Sequence, residues 1–381
     1  MTDQHAKGQY FTENKYLQDS VTNLIFNIPN RILEPSIGRG DLVSCVQKRF
    51  TNVPIDMYEI DDKIQMLGDI DKEKIIYGDF IQQTVGIKYD TIIGNPPYVK
   101  TSKGNLYIDF IEKCYNLLEE NGELIFIVPS DFLKLTSAVK ILKEMMGNGT
   151  FTHIIHPNKE NLFKNASIDV IVFRYYKNKL LPKKVLYNDE VKYLIHTYGL
   201  ITFSDTREIT QHIFKDYFQI GVGMVTGKES IYKNSQLGNI QLLNKKGVKD
   251  SYIMVKTFPT EKKELNDYLL SHKETLINRK IKKFDESNWF EWGAPRNVKL
   301  IENNMGKDCI YISNLTRQDE VAFIDKVQYF GGALIILIPT ENIELKKVVS
   351  YLNSNRFKQN FIYSGRFKIG HRQLSNSLLI I

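Results

Sequence analysis

Arg31-Ile32-Leu33-Glu34-Pro35-Ser36-Ile37-Gly38-Arg39-Gly40-Asp41 passes from a short apolar run, through a proline and two glycines, into the amphipathic stretch Asp41–Phe50. Glycines at such a junction let the chain turn sharply and approach a ligand with no Cβ in the way. The helix that follows would offer its free N–H groups to an anionic or carboxylate group. The same residues also make an ordinary tight strand-to-helix turn, so the signature alone leaves both readings open.

Working outward, the first 180 residues repeat this rhythm. Short apolar runs at Arg31–Leu33, Ile55–Ile60, Lys74–Tyr77, Asp90–Ile93, Leu124–Val128 and Asp169–Tyr175 alternate with amphipathic stretches. Tyr107–Glu120 reads as a helix, with Ile108, Ile111, Tyr115 and Leu118 on one face, and Asp131–Met146 as another. Strands alternating with helices predict an α/β domain with a doubly wound, mostly parallel sheet covered on both faces. Past Leu180-Leu181-Pro182-Lys183-Lys184 the rhythm changes. Runs at Tyr193–His196, Gly199–Phe203, Tyr252–Lys256 and Ala333–Ile338, with helices at Glu261–Arg279 and Ile343–Gln359, predict a second, mixed α+β domain over 181–381.

Composition narrows the partner. The chain has 381 residues and a net charge of +7, and residues 181–381 hold 30 Lys and Arg against 21 Asp and Glu. All the excess positive charge therefore falls in the second half, which suggests a polyanion there. The three cysteines, Cys45, Cys114 and Cys309, are scattered singly and make neither a disulfide framework nor a Cys-rich zinc site. The N-terminus has no apolar core, and the longest apolar run, Ala333–Ile338, is too short to cross a bilayer. These features predict a soluble, cytoplasmic protein with no membrane partner and no metal.

Three strand ends carry acids or polar groups. Glu59 closes the second strand 19 residues past Gly40, where acids in dinucleotide-type folds accept hydrogen bonds from ribose hydroxyls. Asp79, between Gly78 and Phe80, could accept from an adenine amino group while Phe80 packs on the ring; it could equally cap a short helix. The segment Asp90-Thr91-Ile92-Ile93-Gly94-Asn95-Pro96-Pro97-Tyr98 runs a buried strand into two prolines. Prolines fix φ and remove N–H donors, so the turn presents acceptors: the Asn95 side-chain oxygen and the Pro96 carbonyl. With the flat face of Tyr98 beside them, they suit a planar ring bearing an exocyclic NH₂.

These segments resemble the gamma-class, TaqI-like DNA adenine N6-methyltransferases of restriction–modification systems. Gly8-Gln9-Tyr10-Phe11-Thr12 is similar to that family's N-terminal motif, with Thr12 its firmest position, and Glu34 to Gly40 to its glycine motif. The resemblance implies an S-adenosylmethionine-dependent methyltransferase fold over residues 1–180 and a DNA target-recognition domain over 181–381. It implies that Tyr10, Thr12, Glu34, Ser36, Gly38, Gly40, Glu59, Ile60, Asp79, Phe80, Asn95 and Pro97 hold S-adenosyl-L-methionine. Asn95, Pro96 and Tyr98 would be catalytic, and Tyr98 and Phe163 would stack on the flipped base. Phe163 would otherwise be a core residue. Phe218–Lys228, Asn288-Trp289-Phe290 and Leu352-Asn353-Ser354 are similar to parts of TaqI-type specificity domains. Double-stranded DNA is the implied partner, with no obligate protein partner evident and a separate cognate restriction endonuclease left open.

In the second half, Arg279, Lys280, Lys282, Lys283, Trp289 and Trp292, and the run Gly365–Arg372, are candidate DNA contacts, each also readable as a solvated helix end or small core. Two rival readings remain. A protein glutamine N5-methyltransferase acting on a release factor shares the Asn-Pro-Pro-Tyr turn but needs no basic second domain. A DNA-binding specificity module with an inactive catalytic half would not need the turn intact.

Overall fold

The computed structural model describes residues 10–102, 104–164, 167–207 and 212–380. The chain divides into two compact units, Met1–Ile209 with Ile362–Gly365, and Thr210–Phe361 with Arg366–Ile381.

The first unit is built on strands β1 (Ile32–Glu34), β2 (Ile55–Glu59), β3 (Ile75–Tyr77), β4 (Tyr89–Gly94), a small hairpin of β5 (Lys100–Thr101) and β6 (Gly104–Asn105), and then β7 (Leu118–Pro129), β8 (Thr150–Ile155), β9 (Val170–Tyr176), β10 (Lys184–Tyr187), β11 (Glu190–Thr197) and β12 (Leu200–Ser204). Ten of them form one sheet in the order β12-β11-β10-β8-β9-β7-β4-β1-β2-β3. From β7 through β4, β1, β2 and β3 every pairing is parallel, as expected. Beyond β7 the sheet turns mixed: β9 is antiparallel to both β7 and β8.

Alternation of side chains explains why the parallel half reads as continuous apolar runs. Leu33, Ile92, Leu124, Phe126 and Val128 enter one core with helices α3 (Leu106–Leu117) and α4 (Val139–Asn148). Their neighbours Ile32, Ile93, Ile125 and Ile127 enter the other, with α1 (Lys15–Asn23) and α2 (Asp41–Arg49).

Several boundaries differ from the sequence reading. Residues 181–209, assigned above to the second domain, belong to the first unit: β10 pairs in parallel with β8, and β11 and β12 extend the same sheet. The proline and lysines at 182–184 mark a turn between strands, not a domain boundary. Helix α3 stops at Leu117, because Leu118 already pairs with Tyr89 in the sheet. The expected helix from Asp131 begins as two single 3₁₀ turns, Phe132–Lys134 and Thr136–Ala138, before α4.

In the second unit a four-stranded sheet runs in the order β13-β19-β16-β18, formed by β13 (Phe218–Val222), β16 (Asp308–Ser313), β18 (Ala322–Lys326) and β19 (Leu334–Pro339). The hairpin of β14 (Ile240–Lys245) and β15 (Val248–Tyr252) stands apart from it, and the short β17 (Leu315–Thr316) precedes β18. The strand expected at Tyr252–Lys256 is therefore displaced toward the N-terminus. Both long helices expected here are broken in two, at His272 and at Ser354.

Candidate active site

In the first unit, β1 has β2 on one side and β4 on the other, so the chain leaves these strands in opposite directions. That reversal opens a crevice at the strands' C-terminal ends. A cavity of about 540 Å³ lies there, lined by residues that follow β1 (Pro35, Ser36, Gly38), β2 (Ile60 to Ile64), β3 (Gly78, Asp79, Phe80) and β4 (Asn95, Pro97), together with Glu59, Tyr10 and Phe11.

The glycine turn is shaped by left-handed backbone at Gly38 (φ +58°) and Gly40 (φ +93°). A Cβ on Gly40 would sit 2.4 Å from Ile70 Cγ1, and one on Gly38 would press 3.2 Å from the Phe11 ring. The turn is tied to β2 by Glu59. Its Oε2 accepts from Gly38 N–H at 2.8 Å, and its Oε1 from Ile60 and Asp61 N–H at 2.9 and 3.0 Å. Burial raises the Glu59 pKa, while those three N–H groups pull it back toward the ionised form. Ile60 is exposed at the cavity's edge, and Asp79 accepts from Ile81 N–H at 2.9 Å, which closes a turn and starts no helix. Phe80 is buried against Tyr58 and Phe110, yet lines the floor.

Glu34 and Gly40 stand differently from their expected roles. Neither lines the cavity. Glu34 is buried under the turn and accepts from Ser36 N–H at 3.1 Å; burial pushes its carboxyl up to about 8. It shapes the loop from below. The motif residues Gly8 and Gln9 lie outside the described residues.

At the end of β4, Asn95 has both amide hydrogens committed. Nδ2 donates to Tyr10 O at 2.8 Å and to Thr12 Oγ1 at 3.0 Å. Thr12 thus fixes Asn95 from behind, outside the cavity lining. The donors being spent, Oδ1 must face the other way as an acceptor. It receives the Tyr98 hydroxyl at 2.5 Å, and that hydroxyl also lies 3.1 Å from Ile127 O. Burial holds the phenol's pKa well above its usual value, so it stays a donor. The Tyr98 ring stacks on Tyr10 (centroids 5.6 Å apart, 26° between planes) and meets Phe163 edge-on at 6.2 Å. Phe163 is buried, packed among core residues, and the Pro96 ring is buried as well.

Sequence reasoning missed several lining residues: Asp61, Asp62, Ile64, Val99, Leu106 and Phe110. Phe110 sits on a helix whose apolar spacing shows only core, and nothing in the sequence marks it as facing a cavity. Among the described residues no group of His, Cys, Asp and Glu could hold a metal ion. No helix among them is long and apolar enough to cross a membrane.

In the second unit, Arg279, Trp289 and Trp292 are core residues. Arg279 gives its guanidinium to the carbonyls of Leu276, Thr226, Trp289 and Glu291, and Trp292 Nε1 donates to Ile253 O. They are not free to contact DNA, whereas Lys280, Lys282 and Lys283 are exposed.

Known proteins resemble this chain in sequence and in fold. A model of the Eco57I restriction-modification methylase matches residues 42–163. The Type II methyltransferase M.HincII of Haemophilus influenzae is 27% identical over 333 residues, 81% of this chain and 64% of that protein. M.HindII of the same species is 31% identical over 208 residues, 49% of this chain and 39% of that one. The chain is similar to type II restriction–modification methyltransferases. It spans less than two thirds of the length of either protein. Among solved structures, the Type IIL restriction-modification enzyme MmeI in complex with DNA superposes over 96% of this chain and 64% of its own, with a TM-score of 0.58 at 10% identity. That likeness concerns the fold, and the first unit has the S-adenosylmethionine-dependent methyltransferase fold, as expected.

Proposed function

We propose that the chain transfers a methyl group from S-adenosyl-L-methionine to the N6 amino group of an adenine flipped out of duplex DNA. One observation carries this reading: the Asn95-Pro96-Pro97-Tyr98 turn leaves β4 at the reversal of the sheet and opens on the cavity that Glu59 and the glycine turn share.

The cavity's donor set fits the cofactor. The Glu59 carboxylate is positioned to accept from ribose hydroxyls, and Ile60, Phe80 and Phe110 offer an apolar slot for an adenine ring, with Asp79 at its edge. The bound cofactor supplies an activated sulfonium methyl. The protein's own work is to make the adenine nitrogen nucleophilic. That lone pair is delocalised into the ring, and hydrogen bonds from both amino protons to Asn95 Oδ1 and Pro96 O would favour a pyramidal nitrogen. The two acceptors would also stabilise the positive charge that develops on attack. Asn95 is pre-oriented for this, because Tyr10 and Thr12 hold its amide donors. The target base must leave the duplex to reach the turn. Tyr98 would then exchange its hydroxyl bond with Asn95 for a stacked base. The basic second unit would supply phosphate contacts, a role that the similarity to a DNA-bound enzyme supports.

The test is methyl transfer with labelled cofactor, offering plasmid DNA and a release factor separately, followed by nucleoside analysis. N6-methyladenine in the plasmid is the expected product. Methylcytosine, or label in the release factor alone, refutes the proposal.

A further inference from the structure

Outside the cavity, four polar side chains meet where β7, β8, β9 and β10 end. Asp169, fully buried, accepts from Ser130 Oγ through Oδ2 at 2.6 Å and lies 2.9 Å from His156 Nε2. His156 Nδ1 lies 2.7 Å from the Tyr187 hydroxyl. The backbone joins in, with Ser130 N–H donating to Asp169 O at 2.9 Å. A buried carboxylate accepting from the imidazole makes Nε2 the protonated nitrogen, leaving Nδ1 to accept from Tyr187, whose phenol burial keeps protonated. Asp169 Oδ1 has no hydrogen-bond partner among the described residues, so the whole tie runs through Oδ2.

His156 and Asp169 are the first and last residues of the connection between β8 and β9. Their side-chain bond closes the neck of that loop, and the loop carries Phe163 against Tyr10 and Tyr98. A core of this size needs no buried acid at a strand end. Left unpaired, a carboxylate there would be costly, and the bonds to Ser130 and His156 are what offset its burial.

We propose that His156 and Asp169 are positioning residues that act through this loop, holding the buried Phe163 ring against Tyr98 and so fixing the face that Tyr98 offers to the extruded adenine. The inference rests on the DNA-methylation reading above. The network makes no bond to Glu59 or the glycine turn, so its loss leaves most of the cavity's lining in place and loosens only the packing of Phe163 on Tyr10. What is lost is the hold on a base that has left its stack, so the effect depends on how hard the base is to extrude.

The test uses the full chain and a duplex bearing the site mapped from methylated plasmid. Wild-type protein that methylates no DNA refutes the parent reading, and this one with it. Given an active wild type, single-turnover rates are measured for His156→Ala, Asp169→Asn and His156→Gln, which keeps an N–H near the place of Nε2. The target adenine is either paired or placed opposite an abasic site. On the paired target, His156→Ala and Asp169→Asn should slow transfer about ten- to a hundredfold, the range for one lost hydrogen bond to a charged group. Most of that loss should disappear on the abasic duplex, His156→Gln should restore the rate, and Phe163→Leu should share the phenotype. Cofactor affinity by calorimetry should stay within about threefold of wild type throughout. Wild-type rates on the paired target, or equal losses on both duplexes together with weakened cofactor binding, overturn the proposal.

Discussion

Asn95→Ala separates what Asn95 does for the reaction from what it does for the fold. The side chain makes three contacts: two donated bonds to Tyr10 O and Thr12 Oγ1, and one accepted from Tyr98. The donated pair holds the N-terminal segment against the cavity, and Tyr10 lines that cavity. Losing two neutral hydrogen bonds costs about 1–3 kcal/mol, and part of it will appear as weaker cofactor binding. The accepted bond is what the transition state needs, and removing one preorganised group of this kind slows a reaction by on the order of 10²–10³. Asn95→Asp isolates that term, since it keeps an acceptor oxygen and loses both donors. Single-turnover transfer at saturating cofactor and DNA should therefore fall on the order of a hundredfold or more in Asn95→Ala. Asn95→Asp should keep more of the rate while binding cofactor as poorly. An Asn95→Ala protein that transfers methyl within threefold of wild type would refute the assignment, leaving Asn95 as an anchor for residues 10–12.

Glu59→Gln places an amide NH₂ opposite at least one of the N–H groups that Glu59 now receives. Cofactor affinity should drop about ten- to a hundredfold by calorimetry, with DNA affinity unchanged. Tyr98→Phe keeps the ring and frees Asn95 Oδ1, so its rate should stay near wild type, while Tyr98→Ala should lose about 1–3 kcal/mol of base stacking. Equal losses in the two variants would show that the hydroxyl, not the ring, matters. Glu34 is an acid whose folded pKa, about 8, exceeds its ordinary 4.5, so the fold favours its protonated form. Its contribution is fully present below pH 4.5 and is lost as pH rises to about 8, a cost of about 5 kcal/mol at most. Urea unfolding of Glu34→Gln across this window should show a shallower decline than wild type, and parallel curves would contradict the buried-acid reading.

Periodicity determined strands β1 to β4, β7 and β9 and the helices between them, though not β8, because strands buried on both faces read as near-continuous apolar runs. Local chemistry likewise revealed the glycine turn and the Asn-Pro-Pro-Tyr turn, since proline and glycine restrict or free φ wherever they stand. Pairing was another matter. That β10 to β12 belong to the first sheet depends on β10 finding β8, a contact that the proline and lysines at 182–184 disguised as a domain boundary. Burial decided the fate of individual side chains: Glu34 went beneath the turn, Arg279 among carbonyls, and Phe163 against two tyrosines. Most distant of all is the junction of Ser130, His156, Asp169 and Tyr187. Each is unremarkable in its own segment, and only the convergence of four strand ends makes them one network.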